Sequence, residues 1–328
     1  MSWLVLADRV LEGSPPSPQE ALDILRSTDD ELLSLLQAAY NIRRHHHGRD
    51  VRIHVLQNAK SGLCPEDCSF CSQSLSAGTG VDRYAMQSVD ELVESARKAY
   101  AMGASTYCMV TSTRGPGAGE LKTVCEAARR IKSELSVNLK ICASLGMLKP
   151  GQAEELAAAG VDRFNHNLET SRRFFPEVVT THDYEDRIST VRAAKKAGME
   201  ACCGGIMGMG EGHEDRVAMA FELRELEVES IPLNFLDARP GTGMGDREQM
   251  APSEALRSLA MFRFVNPLAD IRVAGGREVV LKKMQALALY PATSIFAQGY
   301  LTTDGQGVDQ DVSMIEQAGF RVSEILPA

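Results

Sequence analysis

Thr106-Tyr107-Cys108-Met109-Val110-Thr111, followed by the helical run Leu121–Leu135 and then by Asn138-Leu139-Lys140-Ile141-Cys142-Ala143, is the stretch that decides the fold. A short β-rich run, an amphipathic run of helical spacing and a second β-rich run make one βα unit with the strand of the next. The pattern recurs from Val51 onward. Strands are expected near Val55–Asn58, Thr106–Thr111, Asn138–Ala143, Arg163–Leu168, Glu200–Met207, Ile231–Leu236, Asp270–Val273 and Thr293–Ala297. Helices are expected at Val89–Met102, Leu121–Leu135, Gln152–Ala159, Tyr184–Ala197, Glu214–Leu226, Ser253–Val265 and Glu278–Leu287, with a last one near Val312–Ala318. Strict alternation of this kind favours an α/β fold, a (β/α)8 TIM-type barrel, over an open sheet.

The first fifty residues read as helical. Ser17-Pro18-Gln19-Glu20 is a capping box with proline at the first helical position. A second start lies around Thr28-Asp29-Asp30-Glu31, with Leu32, Leu35, Leu36 and Ala39 on one face. The expected organisation is therefore an N-terminal helical extension over residues 1–50, a barrel over 51–305, and a C-terminal helix and tail over 306–328 packed on it. At 328 residues the chain exceeds the rough domain length of about 150 residues, yet barrels of this size are commonly single units. No Ser/Gly linker or change in composition divides it.

Lys plus Arg number 35 against 44 Asp plus Glu, a net charge of −9, which argues against a nucleic-acid or anionic-membrane partner. Residues 1–8 lack a basic segment ahead of their short apolar run. No stretch approaches the roughly 18 apolar residues of a membrane span. A cytoplasmic placement is expected, where thiols stay reduced. The eight cysteines, at 64, 68, 71, 108, 125, 142, 202 and 203, are then too sparse for a disulfide scaffold and point to metal or redox chemistry.

Cys64-Pro65-Glu66-Asp67-Cys68-Ser69-Phe70-Cys71 is C-x3-C-x2-C, just after the first expected strand. Chance produces three cysteines at a prescribed spacing about 0.005 times in such a chain. A zinc knuckle would need a fourth Cys or His nearby. Neither His54, on a strand, nor His45 to His47, on a charged helix end, has convincing ligand spacing. Three thiolates suit a [4Fe–4S] cluster with one iron open to another ligand.

This triplet, with an aromatic residue before its last cysteine and after the first barrel strand, resembles the radical S-adenosylmethionine (SAM) superfamily. The likeness runs over most of Val51 to Thr303. Asn58-Ala59-Lys60-Ser61-Gly62, Thr106–Val110, Lys140–Ala143, Asn165-His166-Asn167-Leu168-Glu169-Thr170 and Ile271–Glu278 are similar to the biotin synthase family within it. The resemblance implies SAM chelated to the open iron and cleaved to a 5′-deoxyadenosyl radical. It also implies an auxiliary [2Fe–2S] cluster held by three cysteines and an arginine. Two SAM molecules in turn would abstract hydrogen from C9 and then C6 of dethiobiotin, and the auxiliary cluster would supply the sulfur of biotin. An electron donor such as flavodoxin or ferredoxin and a homodimer are implied in the same way.

Cys108, Cys142 and Cys202 fall on the second, third and fifth expected strands and Arg272 on the seventh. Side chains alternate along strands, so one residue from each of four strands can meet at the barrel axis. One buried cysteine is ordinarily an inert hydrophobe, and Cys125, inside a helix, is taken as such. Three with an arginine are harder to dismiss, since a lone buried guanidinium is costly without an acidic partner. Of the adjacent pair Cys202 and Cys203, the family pattern selects Cys202; Cys203 is a spectator or a competing ligand.

Gly204–Glu211 resembles the family's glycine-rich segment beside the SAM adenine, although a tight βα turn accounts for the glycines nearly as well. The likeness places Phe70, Gly205, Ile206 and Gly208 at the adenine, Arg187 at the SAM carboxylate and Glu169 at its ribose. Arg187 read alone is equally a solvated helix arginine. Asn165, Asn167 and Glu169 share one face of the fourth strand and its exit, where amides could bond the ureido ring of dethiobiotin. Asn167 also matches a residue between substrate and SAM, and Asn234 is a further ureido candidate. His166 points away and is read as a satisfied structural histidine. Arg239–Met244 is expected to be a mobile loop on the substrate side. The rival readings are a barrel radical SAM mutase or lyase without sulfur insertion, and a non-enzymatic iron–sulfur or zinc module.

Overall fold

The structure, a computed structural model, describes residues 2–135, 138–303 and 305–323. Three helices lead: α1 (Trp3–Leu11), α2 (Pro18–Leu25) and α3 (Leu32–His47). The expected capping box closes on α2, with Glu20 N donating to Ser17 Oγ at 3.3 Å and Ser17 N to Glu20 Oε2 at 2.8 Å. A 3-10 turn at Asp29–Glu31 precedes α3, whose Leu32, Leu35, Leu36 and Ala39 are buried as the pattern required.

The barrel follows as β1 (Asp50–Lys60), α4 (Val89–Ala101), β2 (Thr106–Thr111), α5 (Ala118–Leu135), β3 (Lys140–Ser144), α6 (Gln152–Ala158), β4 (Arg163–Asn165) and α7 (Tyr184–Lys196). It continues as β5 (Glu200–Cys202), β6 (Gly205–Met207), α8 (His213–Glu225), β7 (Ser230–Phe235), α9 (Pro252–Val265), β8 (Asp270–Val273), α10 (Arg277–Leu281), β9 (Ser294–Phe296), α11 (Val308–Gln317) and β10 (Arg321–Val322). The strands pair in parallel in the order β1-β2-β3-β4-β5-β7-β8-β9, and β9 returns to β1. A closed eight-strand parallel barrel of the (β/α)8 type results.

Several boundaries differ from the sequence expectation, for local reasons. The fifth strand breaks into β5 and β6 at Cys203-Gly204. A Cβ on Gly204 would stand 1.9 Å from the Pro232 carbonyl oxygen, so the backbones are pressed together there. That carbonyl faces β5 and β6, and the proline supplies no N–H on the same side to continue the ladder. β4 ends at Asn165, not Leu168, and the chain turns at Glu169 with φ 68°. The helix expected over Glu278–Leu287 is α10 followed by a 3-10 segment, Lys282–Leu289, with Lys282 at φ 50°. α11 starts one turn ahead of Val312, and β10, unforeseen, adds to the edge of β1. The end of the expected tail, beyond residue 323, lies outside the described residues.

Residues pointing outward from the strands are apolar and meet the helices: Ile53, Tyr107, Met109, Ile141, Phe164, Ile231, Leu233 and Ile271 are all buried. The inward positions toward the bottom of the barrel are polar, unlike the branched apolar layers that usually fill such barrels. Their floor is built around Asp270. Thr293 Oγ1 and Ser294 Oγ donate to its Oδ1 at 2.7 and 2.8 Å, and Ser230 Oγ and Arg272 Nη2 to its Oδ2 at 3.3 Å each. Arg52, His54 and Arg163 stand 3.4 to 3.8 Å from the same carboxylate. Beneath it, Arg43 of α3 donates to the carbonyls of Ala292 and Asp50 at 3.1 and 2.7 Å. Arg263 of α9 binds those of Pro291 and Ala269 at 2.8 Å each.

α11 is tied on by an ion pair between fully buried groups, Arg277 Nη2 to Asp311 Oδ1 at 2.6 Å. Arg277→Met keeps the volume but strands the carboxylate, an arrangement that costs about 3–5 kcal/mol. The urea midpoint of the variant should fall accordingly, and an unchanged midpoint would show that the pair does not hold α11.

Candidate functional site

A cavity of about 300 Å³ opens at the C-terminal ends of the strands, within the range of small-molecule pockets. Cys64, Cys68, Cys71 and Phe70 line its mouth; Cys108, Cys142, Cys202 and Arg272 line its depth; Asn165, Asn167, Glu169, Arg187, Ile206 and Asn234 lie between.

The cysteine loop is held from two sides. Leu75 N donates to Cys64 O at 2.8 Å and Cys71 N to Cys68 O at 2.9 Å, folding the loop upon itself. Ser69 N donates to Val178 O at 3.0 Å, and the Asp67 carboxylate accepts from the backbone N–H groups of Thr180 and Thr181 at 3.0 and 3.2 Å. Burial opposes ionisation of Asp67, but these Thr180 and Thr181 bonds hold it down to about 2. The three thiols are half-buried, and burial pushes Cys64 and Cys68 up and Cys71 up to about 11. They are protonated in the free chain and would release protons on taking a metal. A zinc knuckle gathers all its ligands on one ion, and among the described residues no three His, Cys, Asp or Glu side chains are so gathered. A cubane takes each thiolate on a different iron, which a three-cysteine loop along a cavity wall suits.

Glu66, in the same loop, begins a buried relay. His182 Nδ1 lies against Glu66 Oε2, and Arg187 Nε donates to His182 Nε2 at 3.0 Å. Nε2 therefore accepts and the ring proton sits on Nδ1. Burial and the Arg187 charge lower the His182 pKa, which keeps the ring neutral and this tautomer in place. Arg187 Nη1 goes on to Asn167 O at 2.7 Å and Glu169 Oε1 at 3.3 Å. At 6% exposure Arg187 is not a solvated helix arginine. Glu66 and His182 carry no motif of their own; only the structure brings them here.

Asn165, Asn167 and Glu169 do share one face, bonded head to tail: Asn165 Nδ2 to Asn167 Oδ1 at 3.3 Å, and Asn167 Nδ2 to Glu169 Oε2 at 3.4 Å. Burial raises the Glu169 carboxyl above the usual range, with Arg187 pulling the other way. Its left-handed φ is uncommon for a non-glycine residue and marks strain held by the surroundings. Those surroundings are the glycine turn: Ile206 N donates to Glu169 O at 2.8 Å and Leu168 N to Gly204 O at 2.9 Å. Buried Glu211 accepts from the N–H groups of Gly208 and Met209 at 2.9 and 2.8 Å and from Arg216 at 2.7 Å, which fixes the turn.

Asn234 spends much of its amide on backbone, donating to Gly205 O at 3.2 Å and accepting from Gly275 N at 2.9 Å. His166 Nε2 has no hydrogen-bond partner and the residue borders the cavity, so it is not the satisfied histidine expected. Arg239–Met244 is seated on the cysteine-loop side, where Gly78 N donates to Gly241 O at 2.8 Å. Tyr300, unforeseen, meets Phe296 edge to face with ring centroids 5.3 Å apart, and both line the cavity.

In the depth, Cys108 and Cys142 are register partners on β2 and β3, and Cys142 contacts both Cys108 and Cys202. Arg272 Nη1 reaches Cys202 Sγ at 3.5 Å, and Asn165 Nδ2 reaches it at 3.3 Å. Contact with Cys108 together with burial pushes the Cys142 thiol far up, and contact with Cys142 together with burial does the same for Cys202. Cys203 is buried on the other face among the apolar core, and Cys125 is buried within α5. Arg272 is not the lone guanidinium of the sequence argument, because Asp270 on its own strand pairs with it. What fits a bound cluster is instead an orphan: the buried Arg272 Nε has no partner.

Residues 58–223 match the Radical SAM superfamily, and residues 232–321 match the Biotin and Thiamin Synthesis associated domain. The biotin synthase of Salinibacter ruber is 58% identical to this chain over 97% of it and 88% of the relative. That of Bacillus subtilis is 45% identical over 98% and 96%. Among solved structures, methylornithine synthase aligns with a TM-score of 0.85 at 16% identity over 97% of each chain. The FeFe-hydrogenase maturase of Carboxydothermus hydrogenoformans gives 0.82 at 17%, over 97% of this chain and 78% of its own. Identities this low speak to the fold alone.

Two glycines of the turn should answer differently to a methyl group. On Gly205 it would sit 2.4 Å from Glu169 O and 2.6 Å from Met219 Sδ; on Gly208, at φ 92°, the nearest atom is 3.5 Å away. Gly205→Ala should lower stability by about 2–3 kcal/mol through overpacking, and Gly208→Ala by about 1 kcal/mol through backbone strain alone. Urea unfolding in which the two cost the same would contradict this account of the turn.

Proposed function

The chain belongs to the biotin synthase family of the radical SAM superfamily, enzymes of the sulfurtransferase class, and from that membership we propose that it converts dethiobiotin to biotin with two iron–sulfur groups in one barrel. The observation that carries this reading is the stacking of two cysteine sets along one cavity, three at its mouth and three at its depth. Cys64, Cys68 and Cys71 would hold a [4Fe–4S] cluster, and Cys108, Cys142, Cys202 and Arg272 a [2Fe–2S] cluster. When bound, the first supplies the electron that cleaves SAM to a radical abstracting hydrogen at C9 and then C6, and the second supplies the sulfur.

The chain's own residues do the placing. Arg187, held by His182 and Asn167, presents a fixed cation to the SAM carboxylate, and Glu169 presents its carboxyl to the ribose. Gly205 and Ile206 give the adenine a backbone edge, with Phe70 from the cysteine loop beside it. Asn165 and Asn167 offer donors and acceptors to a ureido ring above the deep cysteines, and Asn234 keeps one amide hydrogen for it. Phe296 and Tyr300 exclude water from the wall opposite. Such order matters because a carbon radical reacts with whatever lies nearest. Electrons would come from a small carrier such as flavodoxin or ferredoxin, and the chain would work as a homodimer. Among the described residues no helix is long and apolar enough to cross a membrane.

Cys68→Ala should abolish 5′-deoxyadenosine formation. Cys142→Ala should still cleave SAM after anaerobic reconstitution yet yield no biotin; biotin from that variant would overturn the role given to the deep set. A mutase or lyase reading predicts that Cys142→Ala alters neither product.

The relay makes a separate demand. His182→Ala leaves Arg187 Nε without its acceptor, and the KM for SAM should rise about tenfold, some 1.4 kcal/mol, with kcat changed far less. An equal fall in kcat at unchanged KM would show that His182 serves folding or chemistry and not SAM placement.

A further inference from the structure

Arg163 stands beside the deep cysteines with one nitrogen unused. It opens β4, where its register partners are Cys142 on one side and Glu200 on the other. Adjacent strands lie about 4.8 Å apart, and side chains of paired residues point to the same face. Two of its nitrogens, Nε and Nη2, donate to Glu200 Oε2 at 3.0 and 2.6 Å, which anchors one edge of the guanidinium. The third, Nη1, is buried and without a hydrogen-bond partner; Asp270 Oδ2 is 3.8 Å away.

The acceptors nearby are also shared. Asp270 is shared by Arg52, Arg163 and Arg272, and Glu200 by Arg163 and Lys140. Arg52 and Lys140 reach these carboxylates from the solvent side, while Arg163 and Arg272 are buried. The two buried guanidiniums, Arg163 and Arg272, each keep an orphaned nitrogen, which is costly unless an acceptor completes it. Burial alone would favour loss of the Arg163 proton, yet the Asp270 and Glu200 carboxylates help to hold it on.

We propose that Arg163 is a second guanidinium of the deep cluster site: its Nη1–H is directed at the sulfur atoms of the group held by Cys108, Cys142 and Cys202, and its charge raises that group's reduction potential. The inference rests on the two-cluster reading given above. A reduced cluster carries one more negative charge, so a nearby cation and N–H donor stabilise it over the oxidised form. The alternative is a strap that joins Glu200 to Asp270 and has no bearing on the cluster.

The test uses the full chain reconstituted anaerobically, with iron and sulfide measured first. A wild-type chain that binds only a cubane overturns the two-cluster reading itself. Where both clusters are present, mediated spectroelectrochemistry follows the visible bands of the two-iron cluster. Arg163→Gln should shift its midpoint to lower potential, Arg163→Lys should recover most of the shift, and the signal of the reduced cubane should stay unaltered. Identical midpoints in wild type and Arg163→Gln overturn the proposal. Arginine labelled with 15N gives a second readout in the lysine variant, should the glutamine variant not fold. Hyperfine spectroscopy of the reduced two-iron cluster should show 15N couplings in the wild type that are lost in Arg163→Lys, and couplings identical in the two proteins overturn the assignment.

Discussion

The carboxylate of Asp270 is buried at the floor of the barrel, where a bare charge would be too costly to keep. It persists because Thr293, Ser294, Ser230 and Arg272 all donate to it, and because Arg52, His54 and Arg163 surround it. Burial works against its ionisation, yet the Arg272 charge leads a set of neighbours that hold it far below the usual carboxylate range. The consequence is geometric. One acceptor gathers the starts of β7, β8, β9 and β1, sets where Arg272 can point, and leaves a cation under the deep cysteines. A charged floor in a barrel is therefore the base on which the sulfur layer stands.

Above that floor the layers follow from strand alternation. Cys108 pairs with Cys142 across β2 and β3, Arg163 with Cys142 across β3 and β4, and Asn165 with Cys202 across β4 and β5. One step along each strand carries the lining from charge to sulfur and from sulfur to amide. At the mouth, regular strands give way to loops, and the glycine turn and the cysteine loop are fixed by side-chain carboxylates, Glu211 and Asp67, that replace the ladder.

The βα alternation and the cysteine triplet were legible because both are local: one is a periodicity, the other a spacing. The deep set was legible only through the resemblance, since separate strands meet at an axis that no local pattern marks. Arg272 was found for a reason the structure revises, because its acidic partner stands two residues away on the same strand. Glu66, His182, Arg163 and Tyr300 were missed because each acts through a contact far away in sequence. The break in the fifth strand has its cause in Pro232 on the neighbouring strand, and its local sign in Glu200–Met207 is the pair Gly204-Gly205, which weakens a strand interior.

The sealed floor makes the barrel a one-ended vessel. Asp270 and its partners close the bottom, and Arg43 and Arg263 tie helices and loops across it through backbone carbonyls. Whatever the deep cysteines receive must come past Cys64, Cys68 and Cys71 at the rim. With clusters at both sets, as proposed, assembly would have a direction: the inner site would fill before the outer one and be replenished only while the rim stood clear.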